Sequence, residues 1–182
     1  GYYTLAVSKL SADGQSLLYS TYLTNAATTS LTPDNIALTV AGDGTIYTGY
    51  GCGADACPGS PTRAGAYRTS GSAYVAKINP DGTLGFGTYM NPSGFSQQVD
   101  ITLSPARTDV YVMIYHQQGS GEPDVGAKVG AYSGVNTGDV SITRLAPDGK
   151  SVLSSTHIGG TKRNFLTAGD NSHTIGTDSS GN

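Results

Sequence analysis

The sequence predicts an all-β protein built from a repeated four-stranded unit. Composition points there first. Of 182 residues, 26 are Gly and 12 are Tyr, only 13% are charged, and Glu122 is the single Glu. Strand and turn formers therefore dominate, and helix formers are scarce. The second observation is a recurring stretch: Ala76-Lys77-Ile78-Asn79-Pro80-Asp81-Gly82 is preceded by a copy ending Asp13-Gly14 and followed by one ending Asp148-Gly149. The third is the spacing of those copies, about 67–68 residues, which leaves room for four short strands per unit.

The elements follow in order. Residues 3–10 read as a strand, Asp13-Gly14 as a hairpin turn, and residues 16–23 as the returning strand. A polar loop covers 24–33. Ile36, Leu38 and Val40 then alternate with Ala37 and Thr39, a strand of period two. Gly42-Asp43-Gly44 turns the chain into a strand over 45–50. Residues 51–71 form a Gly/Pro/Ser/Ala insertion, and 74–78 and 84–90 flank the next Asp-Gly turn. Val99, Ile101 and Leu103 restart the alternation, and 110–115 returns. A second long insertion covers 117–138. Residues 140–145 and 151–158 form the third copy of the hairpin, and 173–177 opens another alternating strand before a turn at 178–182.

Four antiparallel strands per unit, repeated radially, predict a β-propeller. Two complete blades span 36–90 and 98–158, with a partial blade at 1–23 and the start of a next blade at 173–182. Three blades fall short of a typical ring, so the chain reads as a window onto a longer propeller, or as copies that share blades. In this frame the Ile36 strand is innermost. The long insertions and the inter-blade loops share one face, where binding usually sits.

The wording of the repeats adds a resemblance. "AYVAKINPDGTLGFGTYM", "LAVSKLSADGQSLLYSTYL" and "NIALTVAGDGTIYTGY" resemble bacterial SBBP-type β-propeller repeats, as do Ser155-Thr156-His157-Ile158-Gly159-Gly160 and Thr177-Asp178-Ser179-Ser180-Gly181-Asn182. The resemblance covers most of the chain outside the two insertions. It implies an exported bacterial propeller and names no activity.

Chemistry is sparse. The net charge of -3 gives no footprint for nucleic acid or an anionic surface, and no apolar run approaches the roughly 20 residues that span a bilayer. Cys52 and Cys57, in a Gly-rich loop, suit a structural disulfide, with free thiols as the alternative; four metal ligands are not at hand. A disulfide implies an oxidising compartment and export. His157 and His173 fall on strand-packing positions, and His116 sits at the start of the second insertion as a candidate rim residue. Lys9, Lys77 and Arg144 align across repeats and read as a solvated strand position. The turn residues Asp13, Asp81 and Asp148 lack the dense acidic ligands of a calcium loop. Glu122 and Asp124 read as a polar loop tip.

Asp100, on an inner strand where the first unit has Ala37, is a candidate to meet a ligand or ion in a central channel, or equally to pair with a polar neighbour. Tyr50, Tyr67, Tyr115 and Tyr132 are candidate stacking platforms for carbohydrate at the rim. No catalytic constellation, cofactor motif or metal-ligand spacing is present. The expected function is a non-enzymatic extracellular or cell-surface scaffold, for adhesion or assembly, meeting a protein or glycan at its long-loop face. The alternatives are carbohydrate binding, or part of a propeller hydrolase or lyase with its active centre elsewhere.

Overall fold

The computed structural model describes residues 5–24, 36–52, 57, 59–91, 96–106, 108–116, 140–158 and 175–180, with the side chains of 91, 96–98, 116, 157 and 158 set aside. The strands form where period-two alternation meets β-branched and aromatic residues. They are β1 (Ala6–Leu10), β2 (Leu17–Tyr22), β3 (Ile36–Val40), β4 (Ile46–Gly51), β5 (Ala73–Ile78), β6 (Leu84–Asn91), β7 (Ser96–Leu103), β8 (Val110–His116), β9 (Val140–Leu145) and β10 (Val152–Ile158). Among the described residues there is no helix.

The strands make three antiparallel sheets, ordered β1-β2, β3-β4-β5-β6 and β7-β8-β9-β10. Each sheet is a meander of consecutive strands, and among the described residues none exchanges a strand with its neighbour. The four-strand units expected over 36–90 and 98–158 are therefore four-stranded sheets. The alternation over 173–177 is not matched by a ladder: residues 175–178 carry no strand, and His173 lies outside the described residues. This segment instead lies along β7, where the Ile175 amide donates to the Asp100 carboxylate at 2.7 Å and the Thr177 hydroxyl donates to the Leu103 carbonyl at 2.8 Å.

The turns show why Asp-Gly recurs. Gly14, Gly44, Gly82 and Gly149 all have positive φ, between 71° and 86°, a region that favours glycine. In each turn the preceding Asp bends back on its own loop. Asp13 accepts from the Gln15 amide, Asp43 from Thr45, Asp81 from Thr83 and Asp148 from Lys150, at 2.8–3.1 Å. Asp178 repeats the bond to Ser180 at 2.8 Å. These are Asx-turns, in which a side chain imitates a backbone turn.

The bonds lower the carboxyl pKa values of three of these residues, chiefly through the Ser11 hydroxyl on Asp13, the Thr45 amide on Asp43 and the Thr83 hydroxyl on Asp81. A depressed folded value means that the contribution is complete above the unfolded carboxyl value, about 3.9, and fades as pH falls through the lower folded values. Denaturant midpoints measured between pH 6 and pH 2 should hold flat and then drop below about pH 4. The Asp81→Asn variant should show a shallower acid drop than the parent.

Two apolar layers join the sheets. The first lies between the β1-β2 hairpin and the β3–β6 sheet and contains Val7, Leu23, Ile46, Tyr50, Tyr74, Ala76, Ile78 and Tyr89. The second lies between the two four-stranded sheets, where Ala37, Tyr47, Val75, Phe86 and Met90 meet Val99, Ile101, Val110, Val112, Ile114, Leu145 and Val152. Each buried Val or Ile contributes roughly 1.5–3 kcal/mol, so these layers, not the turns, supply the bulk of the cohesion.

The two four-stranded sheets approach closely at Gly49, opposite Ala37 on β3. A Cβ there would lie 2.9 Å from the Tyr74 carbonyl oxygen, 2.9 Å from Val99 Cγ1 and 3.0 Å from Ile101 Cδ1. Glycine is what lets β7 settle on β3 and β4. A second inter-sheet contact repeats. Tyr19 on β2 covers Gly82 in the next sheet, and Phe86 on β6 covers Gly149 in the one after. The corresponding residue of β10 is Ser154, so the aromatic is not renewed there.

Candidate functional site

The insertion after β4 is a strap. Cys52 and Cys57 form a disulfide, with their Cα atoms 5.2 Å apart. The ring is pinned by the Cys52 amide to the Ser72 carbonyl and by the Cys57 amide to the Gly71 carbonyl, at 2.9 and 2.7 Å. From the ring the chain descends over three buried tyrosines whose rings touch in series, Tyr50 to Tyr74 at 5.4 Å and Tyr74 to Tyr89 at 5.3 Å. Every hydroxyl in this stack is bonded. Tyr50 donates to the Leu23 carbonyl at 3.1 Å and pairs with the Ser60 hydroxyl at 2.6 Å; Tyr74 donates to the Pro61 carbonyl; Tyr89 donates to the Cys57 carbonyl at 2.8 Å. Burial pushes the Tyr50 and Tyr74 hydroxyls far above their ordinary pKa.

The strap then rounds the outer edge of the sheet. The Arg63 guanidinium donates to the Leu84 carbonyl at 2.7 Å, and on the return the Tyr89 amide donates to the Arg68 carbonyl at 3.2 Å. Finally the Tyr67 amide reaches the Gly149 carbonyl in the neighbouring sheet, at 3.1 Å. The strap thus occupies polar groups on the free edge of β6, which otherwise invite pairing with another chain. Gly87 makes room for it, since a Cβ there would overlap Pro61 and the Tyr74 hydroxyl.

These contacts correct one expectation. Tyr50 is not a rim platform: it is fully buried, with its ring against Tyr74. Tyr67 is half-buried, its amide on the Gly149 carbonyl and the Arg68 guanidinium 5.2 Å from its ring centre. Tyr115 is half-buried on β8, paired with Val140. Tyr132, Glu122 and Asp124 lie outside the described residues. His116 ends β8 opposite Ser96.

Asp100 is occupied by backbone: its carboxylate accepts from its neighbour Ile101 at 2.8 Å and from Ile175 at 2.7 Å. It ties the 175–180 segment to β7. Two of the aligned cations are used locally. The Lys77 ammonium lies 5.8 Å from the Tyr47 ring centre. Arg144 pairs with Asp109 at 2.6 Å, and that hydrogen bond raises the guanidinium pKa. Among the described residues no group of His, Cys, Asp or Glu is arranged to hold a metal, and no helix is long and apolar enough to cross a membrane. No protein-family model matches the chain, and no curated protein matches it significantly.

Part of the open surface is apolar. Ile36, Leu38 and Val40 on β3 are 45%, 52% and 53% exposed, and on the first hairpin Leu10, Leu17, Leu18 and Tyr22 are exposed as well. Sequence reasoning missed this stripe because the same alternation marks a core strand wherever a neighbouring sheet covers it.

Closing a ring of this size constrains the unfolded chain by about 2 kcal/mol on the chain-entropy account. Cys52→Ser/Cys57→Ser is expected to lower the unfolding free energy by that amount in equilibrium denaturation. An unchanged midpoint would show that the backbone bonds to the Gly71 and Ser72 carbonyls hold the ring's place without the bridge.

Proposed function

We propose that the chain is a segment of an extracellular, non-enzymatic β-propeller of SBBP type, serving as a scaffold or assembly module of an exported bacterial protein. One observation carries the reading: polar side chains that suggested chemistry are engaged in holding turns, edges and neighbouring sheets, while an apolar strand lies open. Asp100 and the turn aspartates hold backbone, and Tyr50 is part of the core. Repetition of one inter-sheet contact, Tyr19 on Gly82 and then Phe86 on Gly149, supports radial stacking of equivalent blades. The disulfide is compatible with an extracellular setting. Carbohydrate binding loses one of its four proposed platforms, the fully buried Tyr50.

The reading is tested on the full-length secreted protein. Electron microscopy should show a ring of sheets around a channel, and assays against glycoside, ester and peptide substrates should show no turnover above blank. An open, unclosed stack overturns the propeller; turnover overturns the scaffold role.

A further inference from the structure

We propose that Arg63, Arg68 and Lys150 form a binding site for an acidic polysaccharide, a sugar chain bearing carboxylates, laid across the seam between the second and third sheets.

The site is assembled from two segments remote in sequence. The strap of the second sheet supplies Arg63 and Arg68, and the Asp-Gly turn of the third sheet supplies Lys150. The two segments meet. The Tyr67 amide donates to the Gly149 carbonyl at 3.1 Å. A Cβ at Gly65 would lie 3.4 Å from Cδ and Cε of Lys150 and 3.7 Å from its Nζ, so the lysine stem runs beside the tip of the strap. Arg63, Gly65 and Lys150 are all exposed.

The backbone that carries these cations is already held in place. The Ala66 amide closes the tip on the Arg63 carbonyl at 3.0 Å, the Arg68 amide donates to the Thr88 hydroxyl at 3.1 Å, and the Lys150 amide donates to the Asp148 carboxylate at 3.1 Å. The side chains are steered as well. The Leu84 carbonyl orients the Arg63 guanidinium, and the Tyr67 ring orients that of Arg68. A carbonyl and an aromatic ring are neutral, so they fix a guanidinium without cancelling its charge.

The grouping runs against the composition. In a chain of net charge -3, three of the six described lysines and arginines gather at this seam, the others being Lys9, Lys77 and Arg144. Neither Arg63 nor Lys150 is ion-paired with a described carboxylate, whereas Arg144 is paired with Asp109. Planar guanidinium forks match planar carboxylates. Cations on two segments favour a polymer, which gains from touching several at once, over a single small anion. Charge density selects the polymer. Duplex nucleic acid brings one charge about every 1.7 Å and would crowd phosphates against the exposed Asp148, two residues from Lys150. A uronate chain spaces its carboxylates by whole sugar rings and can turn neutral hydroxyls toward Asp148.

This inference rests on the scaffold reading, since it names what the scaffold holds, but the two fail separately. The probe is polygalacturonate immobilised for biolayer interferometry, with its methyl-esterified form as the neutral control and dextran sulfate as the dense polyanion. The full chain should bind polygalacturonate saturably, and binding should weaken as salt rises from about 50 to 200 mM. Arg63→Gln/Lys150→Gln should weaken it roughly tenfold or more. Lys150→Glu alone, which alters an exposed turn side chain and leaves circular dichroism unchanged, should weaken it in the same direction, and Lys150→Arg should preserve it.

No saturable binding overturns the proposal, as does binding indifferent to the Gln and Glu variants. Equal binding to the methyl ester overturns it, because the sugar rings are then what is recognised. Tighter binding to dextran sulfate overturns it too, because the surface then selects dense charge. Cleavage of the polygalacturonate, by contrast, would remove the non-enzymatic scaffold reading while leaving the site in place.

Discussion

Replacing Tyr74 with Ala is expected to lower the unfolding free energy by about 3–5 kcal/mol, a large share of what a domain of this size has. Tyr74 is fully buried at the middle of the tyrosine stack, touching Tyr50 on one side and Tyr89 on the other. Truncation removes both ring contacts, leaves a cavity between the first hairpin and the second sheet, and strands the Pro61 carbonyl that the hydroxyl satisfies. Tyr74→Phe separates these effects: it keeps the rings and loses one hydrogen bond, so its cost should fall to about 1–2 kcal/mol. Urea denaturation of the two variants gives both numbers. A Phe variant as damaged as the Ala variant would mean that the strap, not the ring packing, dominates at this position.

The second large effect is at Gly149. Gly149→Val combines a left-handed backbone, φ 71°, with a collision against the Phe86 ring. Backbone strain in that region costs about 1–3 kcal/mol and overpacking about 1–3 kcal/mol more, so a loss of roughly 2–5 kcal/mol is expected. Gly14→Val is the control. Its φ is 72°, but a Cβ there meets nothing within 4 Å. The difference between the two variants isolates the aromatic contact between sheets. Equal losses would show that Phe86 yields freely, and the repeated aromatic-on-glycine contact would then carry little of the inter-sheet cohesion.

Strands and turns were legible because their signals are local. Period-two alternation and Asp-Gly act within a few residues, and the Asx bond from each Asp closes over two. The strap was not legible. Residues 51–71 read as a loose Gly/Pro/Ser insertion because its partners are remote: Leu84 for Arg63, Gly149 for Tyr67, and the bare backbone of Gly87 for Pro61. Tyr50 was misplaced for the same reason, since it sits near the end of a strand and is sealed in by remote groups, Leu23 of the first hairpin and Ser60 of the strap. Asp100 suggested a ligand because an acid on an inner strand lacks a sequence-local partner; its second partner lies 75 residues on, at Ile175. The alternation at 173–177 marks an inner position without enforcing a ladder.

Because each sheet is a meander of consecutive strands and, among the described residues, gives none to its neighbour, the sheets are separable mechanical units of the chain. Stretched from its two ends, it should yield one sheet at a time, since extracting a single sheet breaks its own ladder and its flanking apolar layers but leaves the other ladders whole. Residues 36–91 would then release as one step of roughly 20 nm of chain. Under load the chain would then lengthen in increments, one sheet at a time.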